Sequence, residues 1–181
     1  MYGIVNKAIE ELVIQNFGSD VWEKVKLRSG VDYDYFLSHE PYDDDVTFKL
    51  AGAVAEEMNI HIDQVMQAFG EWWILKTGKE KYGGMMAAGG SSMKEFMINL
   101  PAFHNRVMMI YPKLTPPEFQ VSDIDENGIS VHYHSKREGL QEFVRGLLTG
   151  LGKMYETEVC VELLKSRNDG DTHEVFRVTY L

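Results

Sequence analysis

The chemistry of this sequence begins at His104, set in the run Phe103-His104-Asn105-Arg106-Val107-Met108. A lone imidazole in apolar company is commonly a hydrogen-bonded core residue. It is also a suitable metal donor, because a neutral ring nitrogen binds iron from one side and leaves the other side open to a small ligand. Position alone leaves both readings open. A second constellation is Tyr133-His134-Ser135-Lys136-Arg137. On a strand, alternation sends Tyr133, Ser135 and Arg137 to one face. Together they form a donor-rich comb suited to paired carboxylates, since a guanidinium holds a carboxylate through two parallel hydrogen bonds. A solvated strand face is the plain alternative.

His132 and His134 share a two-residue spacing, and His173 follows later. No carboxylate or thiol accompanies them at a recognised metal-site spacing, so they read as solvent-facing or structural. The run Asp43-Asp44-Asp45 reads as a helix start, where carboxylates suit the macrodipole, rather than as a metal site. There is no phosphate-cradling glycine loop and no Gly-x-Ser-x-Gly elbow.

The elements that must position these residues follow from periodicity. Ile4, Val5, Ala8, Ile9, Leu12 and Val13 recur at helical spacing from Tyr2 to about Phe17. Ser19 or Asp20 is placed to cap a second helix through Trp22 and Val25, which Gly30 ends. A third helix follows the Asp run, through Leu50, Val54 and Met58. A fourth runs from Ile62 through Phe69, Trp72, Trp73 and Leu75, with Gly78 as its stop. Gly83-Gly84 and Gly89-Gly90 read as turns. The pattern Met93, Phe96, Met97, Leu100 is expected to break at Pro101 and restart as a helix carrying His104.

Beyond Tyr111-Pro112 and Thr115-Pro116-Pro117 the period changes to alternation. Phe119, Val121 and Ile124 precede the turn Asp125-Glu126-Asn127-Gly128, and the returning strand is expected from Ile129 to Arg137. A helix through Leu140, Phe143, Val144, Leu147 and Leu148 follows. A second hairpin then pairs 157–164 with 173–180 around Asn168-Asp169-Gly170. No repeat or linker divides the chain, so one domain over 1–181 of α+β class is expected.

The 181 residues are 44% hydrophobic and 12% aromatic, enough for a substantial core. Eighteen basic against 28 acidic residues give a net charge of −10, which repels phosphate backbones and argues against nucleic acid as a partner. Cys160 is the sole cysteine, so an intrachain disulfide is excluded. It reads as a buried structural thiol. The start lacks a secretory pattern and no run reaches the ~20 apolar residues of a membrane span, so a soluble, cytoplasmic chain is expected.

Taken together, His104, Tyr133-x-Ser135-x-Arg137 and Thr115-Pro116-Pro117, in this order, make the chain resemble the haem nitric oxide/oxygen binding (H-NOX) domains, related to the sensor region of soluble guanylate cyclase. The opening Met1-Tyr2-Gly3 and its amphipathic helix fit the same pattern, and the resemblance covers essentially the whole chain. It implies an N-terminal helical part over a helix and a four-stranded antiparallel sheet, with haem b (Fe-protoporphyrin IX) between them. It implies His104 as the iron ligand, Tyr133, Ser135 and Arg137 on the propionates, and Pro117 against the porphyrin. Ile4, Phe143 and Leu147 are expected to complete the pocket.

Some members of the family carry a distal tyrosine on the helix after the Tyr-x-Ser-x-Arg strand. No tyrosine occurs here between Tyr133 and Tyr155, although Gln141 is another candidate donor. The resemblance therefore implies a sensor of nitric oxide and carbon monoxide that largely excludes dioxygen and is not itself an enzyme. With no output segment after Leu181, the expected partner is a separate histidine kinase or cyclic-di-GMP enzyme. A haem enzyme of peroxidase type is the alternative, but no acid and base pair for peroxide chemistry is evident.

Overall fold

The computed structural model describes residues 1–111 and 113–181; the expected break at Tyr111-Pro112 therefore lies partly outside the described residues. The N-terminal half is helical: α1 (Gly3–Phe17), α2 (Ser19–Ser29), α3 (Asp44–Met58) and α4 (Ile62–Trp72). Their apolar stripes meet in a core of Ile9, Val13, Trp22, Val25, Leu50, Val54, Met66 and Phe69. Gly30 closes α2 in the left-handed conformation, as expected from the missing Cβ penalty. The cap at the other end differs from expectation. Ser19 is already helical, Gly18 is the capping residue, and no side chain caps the helix.

Gly78 does not stop the fourth helix. α4 passes into a π-helical turn (Trp73–Gly78) and on into α5 (Lys79–Ala87), which carries Gly83 and Gly84 inside it rather than at a turn. A Cβ on Gly78 would lie 2.9 Å from the Trp73 carbonyl oxygen, so the glycine admits the wide turn instead of ending the helix. Gly89 and Gly90 do lie between helices, Gly90 at φ 158°.

The helix bearing His104 is continuous as well. α6 (Met93–Ile110) holds Pro101 in its interior. Its start is fixed by Ser92, whose hydroxyl accepts the Glu95 N–H, while Glu95 accepts from the Ser91 N–H and hydroxyl. Pro101 is on the exposed side. An interior proline costs about 3 kcal/mol, and burial of Met93, Phe96, Met97, Leu100 and Val107 on the opposite side offsets it.

The C-terminal half consists of β1 (Glu118–Ser122), β2 (Gly128–His134), α7 (Gln141–Met154), β3 (Val159–Lys165) and β4 (Glu174–Tyr180). The strands form one antiparallel sheet in the order β1-β2-β4-β3. The register places Phe119 opposite Tyr133, and Val131 opposite Phe176. The face carrying Phe119, Ile129, Val131, Tyr133, Phe176 and Val178 packs against α6 and α7. This is the expected α+β layout.

Two details of the sheet differ from the sequence reading. β2 ends at His134, so Ser135 and Arg137 lie in the following loop. The Ser135 and Arg137 carbonyls accept from the Arg167 guanidinium, at 2.8 Å each, instead of pairing with a strand. Cys160 is exposed rather than buried, because alternation on the edge strand β3 turns it outward. Among the described residues no helix is long and apolar enough to cross a membrane.

α4 and α7 join the two halves. A Cβ on Gly70 would lie 2.1 Å from the Phe143 carbonyl oxygen, and one on Gly146 would lie 2.1 Å from that of Gln67. The helices therefore touch backbone to backbone. A smaller cluster of Tyr2, Ile4, Val107 and Tyr111 ties the start of α1 to the end of α6.

Candidate functional site

Between the helical half and the sheet half lies an apolar cavity of about 590 Å³, within the size range of cofactor pockets. From α6 come Phe103, His104 and Val107; from the connection to β1, Leu114, Thr115, Pro116 and Pro117; from the sheet, Phe119 and Tyr133. Ile4 and Val5 of α1, Trp73 and Ile74 of the π-helical turn, and Phe143, Val144, Leu147 and Leu148 of α7 complete much of the wall.

His104 reaches this space because α6 presents its buried stripe to the sheet. Its ring lies 5.7 Å from that of Phe119 and 5.8 Å from that of Phe103, centroid to centroid. Among the described residues no group hydrogen-bonds to the imidazole. Burial alone lowers its pKa to about 4, so at neutral pH the ring is uncharged with a free nitrogen lone pair. The ordinary core histidine considered above would have a partner.

Tyr133 and Arg137 both line the cavity. Burial raises the Tyr133 phenol pKa, and Ser135 acts against that shift as a hydrogen-bond partner. Ser135 is not among the lining residues; its Oγ accepts the Arg137 N–H at 3.0 Å and shapes the loop. The Arg137 side chain donates from Nε to Asp44 Oδ2 at 2.7 Å and from Nη1 to the Thr115 carbonyl at 3.1 Å. Asp44 also pairs with the N-terminal ammonium. Burial disfavours its ionised form, but the ammonium and Arg137 outweigh that and hold the carboxyl below its usual range. Of the acidic run, Asp44 thus serves the cavity mouth, and among the described residues no group of three metal-binding side chains is arranged around an ion.

Ile4, Pro117, Phe143 and Leu147, named from the sequence, also face the cavity. Gln141 does not, since its Oε1 accepts from the Ser166 hydroxyl. Two features escaped the sequence reading. Tyr82 donates to Tyr111 at 2.9 Å, and the Tyr2 hydroxyl accepts the Lys113 N–H, so three of the lining phenols tie α1, α5 and the end of α6 together. Burial and Tyr111 keep the Tyr82 phenol protonated well above its usual pKa. Arg167, braced by Glu174 at 2.8 Å, holds the loop that carries Arg137. Neither feature has a short-range spacing signal, as the partners are far apart in sequence.

A histidine without a hydrogen-bond partner among the described residues, a guanidinium beside a carboxylate and an apolar chamber thus meet between the two halves. The chain belongs to the haem-NO-binding family, whose model matches residues 2–163. This is a family of haem-based gas-sensor domains related to soluble guanylate cyclase.

Among curated relatives, the chain is 27% identical over 170 residues to soluble guanylate cyclase gcy-31 of Caenorhabditis elegans, covering 93% of this chain and 24% of that protein. It is 25% identical over 170 residues to soluble guanylate cyclase 89Da of Drosophila melanogaster, covering 93% and 26%. It thus spans about a quarter of the length of these relatives. The fold matches that of an H-NOX protein from S. oneidensis in the Fe(II)NO ligation state, with TM-score 0.89 and 19% identity over 100% of this chain and 99% of that one. It also matches an Fe(II) unliganded H-NOX protein from K. algicida, with TM-score 0.86 and 21% identity over 100% and 97%. Nothing in these comparisons supports the peroxidase alternative.

Proposed function

We propose that the chain is a haem-based sensor of nitric oxide and carbon monoxide that largely excludes dioxygen. The observation that carries this reading is the half-buried His104 imidazole, with no hydrogen-bond partner among the described residues, lining an apolar cavity that Arg137 also lines. The residues fit haem b. Arg137 makes one charge-assisted hydrogen bond, from Nε to the Asp44 carboxylate, and a propionate would be held by contacts of the same kind. Tyr133 and Arg137 would hold the propionates, with Ser135 shaping the loop that carries Arg137, and His104 Nε2 would bind iron. Pro117 would press on the macrocycle, with Ile4, Phe143 and Leu147 against its other parts. Bound haem would supply a ferrous centre open to a diatomic gas on the side away from His104.

The chain's own residues set selectivity and output. Under this proposal the gas lies against Ile4, Val5, Phe143, Val144, Leu147 and Leu148, which offer no side-chain N–H or O–H, and away from the donors Trp73, Tyr2 and Tyr82 elsewhere on the wall; dioxygen needs such a donor more than nitric oxide does. His104 would hold the iron, and it is the chain's own group through which a change in that hold would reach the protein. α6 would carry that change through Val107 and Tyr111 to Tyr2 on α1. A partner that binds the two arrangements unequally converts the shift into a signal. A histidine kinase or a cyclic-di-GMP enzyme is the proposed partner class. The test is an anaerobic visible spectrum of the reduced, haem-loaded protein, alone, with nitric oxide, with carbon monoxide and in air. A five-coordinate ferrous spectrum that responds to both gases but not to air is expected. An unchanged Soret band in His104→Gly would overturn the ligand assignment.

A further inference from the structure

The outer face of the sheet, away from the cavity, carries three histidines that no step above uses. His132 and His134 stand two residues apart on β2, turned opposite to Val131 and Tyr133. His173 immediately precedes β4, the neighbouring strand. His132 Nδ1 lies 2.9 Å from His173 Nε2, and the His134 ring stacks on that of His173 with centroids 4.0 Å apart.

Hydrogen-bond accounting shows which nitrogens are available. The Ser122 hydroxyl donates to Asp123 Oδ2 at 2.9 Å, which uses its only proton. Ser122 Oγ therefore accepts from His132 Nε2–H, 2.8 Å away. A neutral His132 then has a bare Nδ1, which accepts from His173 Nε2–H. His173 Nδ1 is met by the Thr172 hydroxyl at 2.9 Å. The far nitrogens of both rings are held by hydroxyls, the arrangement that orients imidazole ligands around a metal. The near nitrogens face each other across a single proton.

We infer that His132, His134 and His173 form a second, surface site for a divalent transition-metal ion, Zn²⁺ by donor chemistry. Two nitrogens bound to zinc at about 2.0–2.1 Å and separated by a right or tetrahedral angle lie about 2.9–3.4 Å apart. The present 2.9 Å separation already satisfies that spacing. As the rings now stand, three donors do not surround one point, because His132 and His173 are spent on each other. The ion takes the place of the shared proton. That proton moves to His173 Nδ1, where the Thr172 hydroxyl turns to accept it, and each half-buried ring tilts to aim its lone pair. His134 turns off the stack to supply the third nitrogen, and water completes the tetrahedron. A set of imidazoles alone suits zinc, copper or nickel and discriminates against magnesium and calcium, which take oxygen.

The experiment is calorimetric titration of the haem-loaded protein with zinc chloride, beside His132→Gln, His134→Gln, His173→Gln and, as control, His61→Gln at the exposed start of α4. One zinc per chain is expected, weakened about tenfold or more by each of the three substitutions and unchanged by the control. Zinc should raise the thermal midpoint of the parent and control but not of the three variants. Equal midpoints without zinc would show that the variants fold. The Soret band should not move, which separates this site from the haem reading. Absence of a one-to-one isotherm, affinity equal to the parent's in any of the three variants, or loss in His61→Gln would overturn the site.

Discussion

Replacing His104 by Leu removes a basic group that the fold forces to stay neutral, and the consequence can be worked out for the haem-free protein. The folded imidazole titrates at about 4 instead of 6.5. Between those values the unfolded chain binds more protons than the folded one, so stability falls as pH drops through 6.5 towards 4. It levels off below 4 and is unaffected above 6.5. At about pH 4.5 the deficit is RT ln[(1+10²)/(1+10⁻⁰·⁵)], about 2.5 kcal/mol, an upper bound because the ring is only partly shielded from solvent. A leucine side chain has no such proton. Urea unfolding at about pH 7 and about pH 4.5 should therefore show the parent losing up to about 2.5 kcal/mol more than His104→Leu, since the other groups titrate alike in both. Parallel stability curves would refute the picture of a buried, uncharged ring. The same displacement means that at neutral pH a proton is a poor rival to iron for this nitrogen.

Substitution of glycine by alanine should act in opposite directions at two helical positions. Gly146→Ala places a Cβ 2.1 Å from the Gln67 carbonyl oxygen, so α4 and α7 must part by about 1.3 Å to reach 3.4 Å; a loss of about 1–3 kcal/mol is expected. Gly83→Ala meets nothing within 4 Å and sits inside α5, so a gain of about 0.5–1 kcal/mol is expected, both readable from thermal melting. Phe143→Tyr should introduce a phenol into the wall of the haem pocket and produce a dioxygen complex in air, seen as a shifted Soret band after reduction. An air-exposed spectrum identical to the parent's would count against the apolar wall as the basis of exclusion.

Most of the helices and the two hairpins were legible in the sequence because each rests on local periodicity or a turn, and a few of the lining residues were legible through the motifs that carry the family resemblance. Where the reading failed, packing that the local pattern does not show decided the outcome. Gly78 reads as a stop, yet the Trp73 carbonyl packs against it in a π-helical turn. Pro101 reads as a break, yet α6 buries enough apolar surface around it to continue. Ser135 and Arg137 extend the alternation of β2, but Arg167, thirty residues further along from Arg137, claims their carbonyls and bends the chain into a loop. The histidine spacing on β2 was visible, whereas its pairing with His173 depended on strand order.

The backbone contact between Gly70 and Gly146 sets a mechanical boundary on how such a sensor can be tuned. With no side chains between them, the helices behind Phe143 would act as the fixed jaw of a vice, and under the proposed function any travel would fall to the opposite jaw, which bears His104. Selection can then repaint the chamber, exchanging one apolar residue for a polar one, without altering the stroke delivered to the output. Ligand preference and signal amplitude would evolve on separate parts of one small molecule.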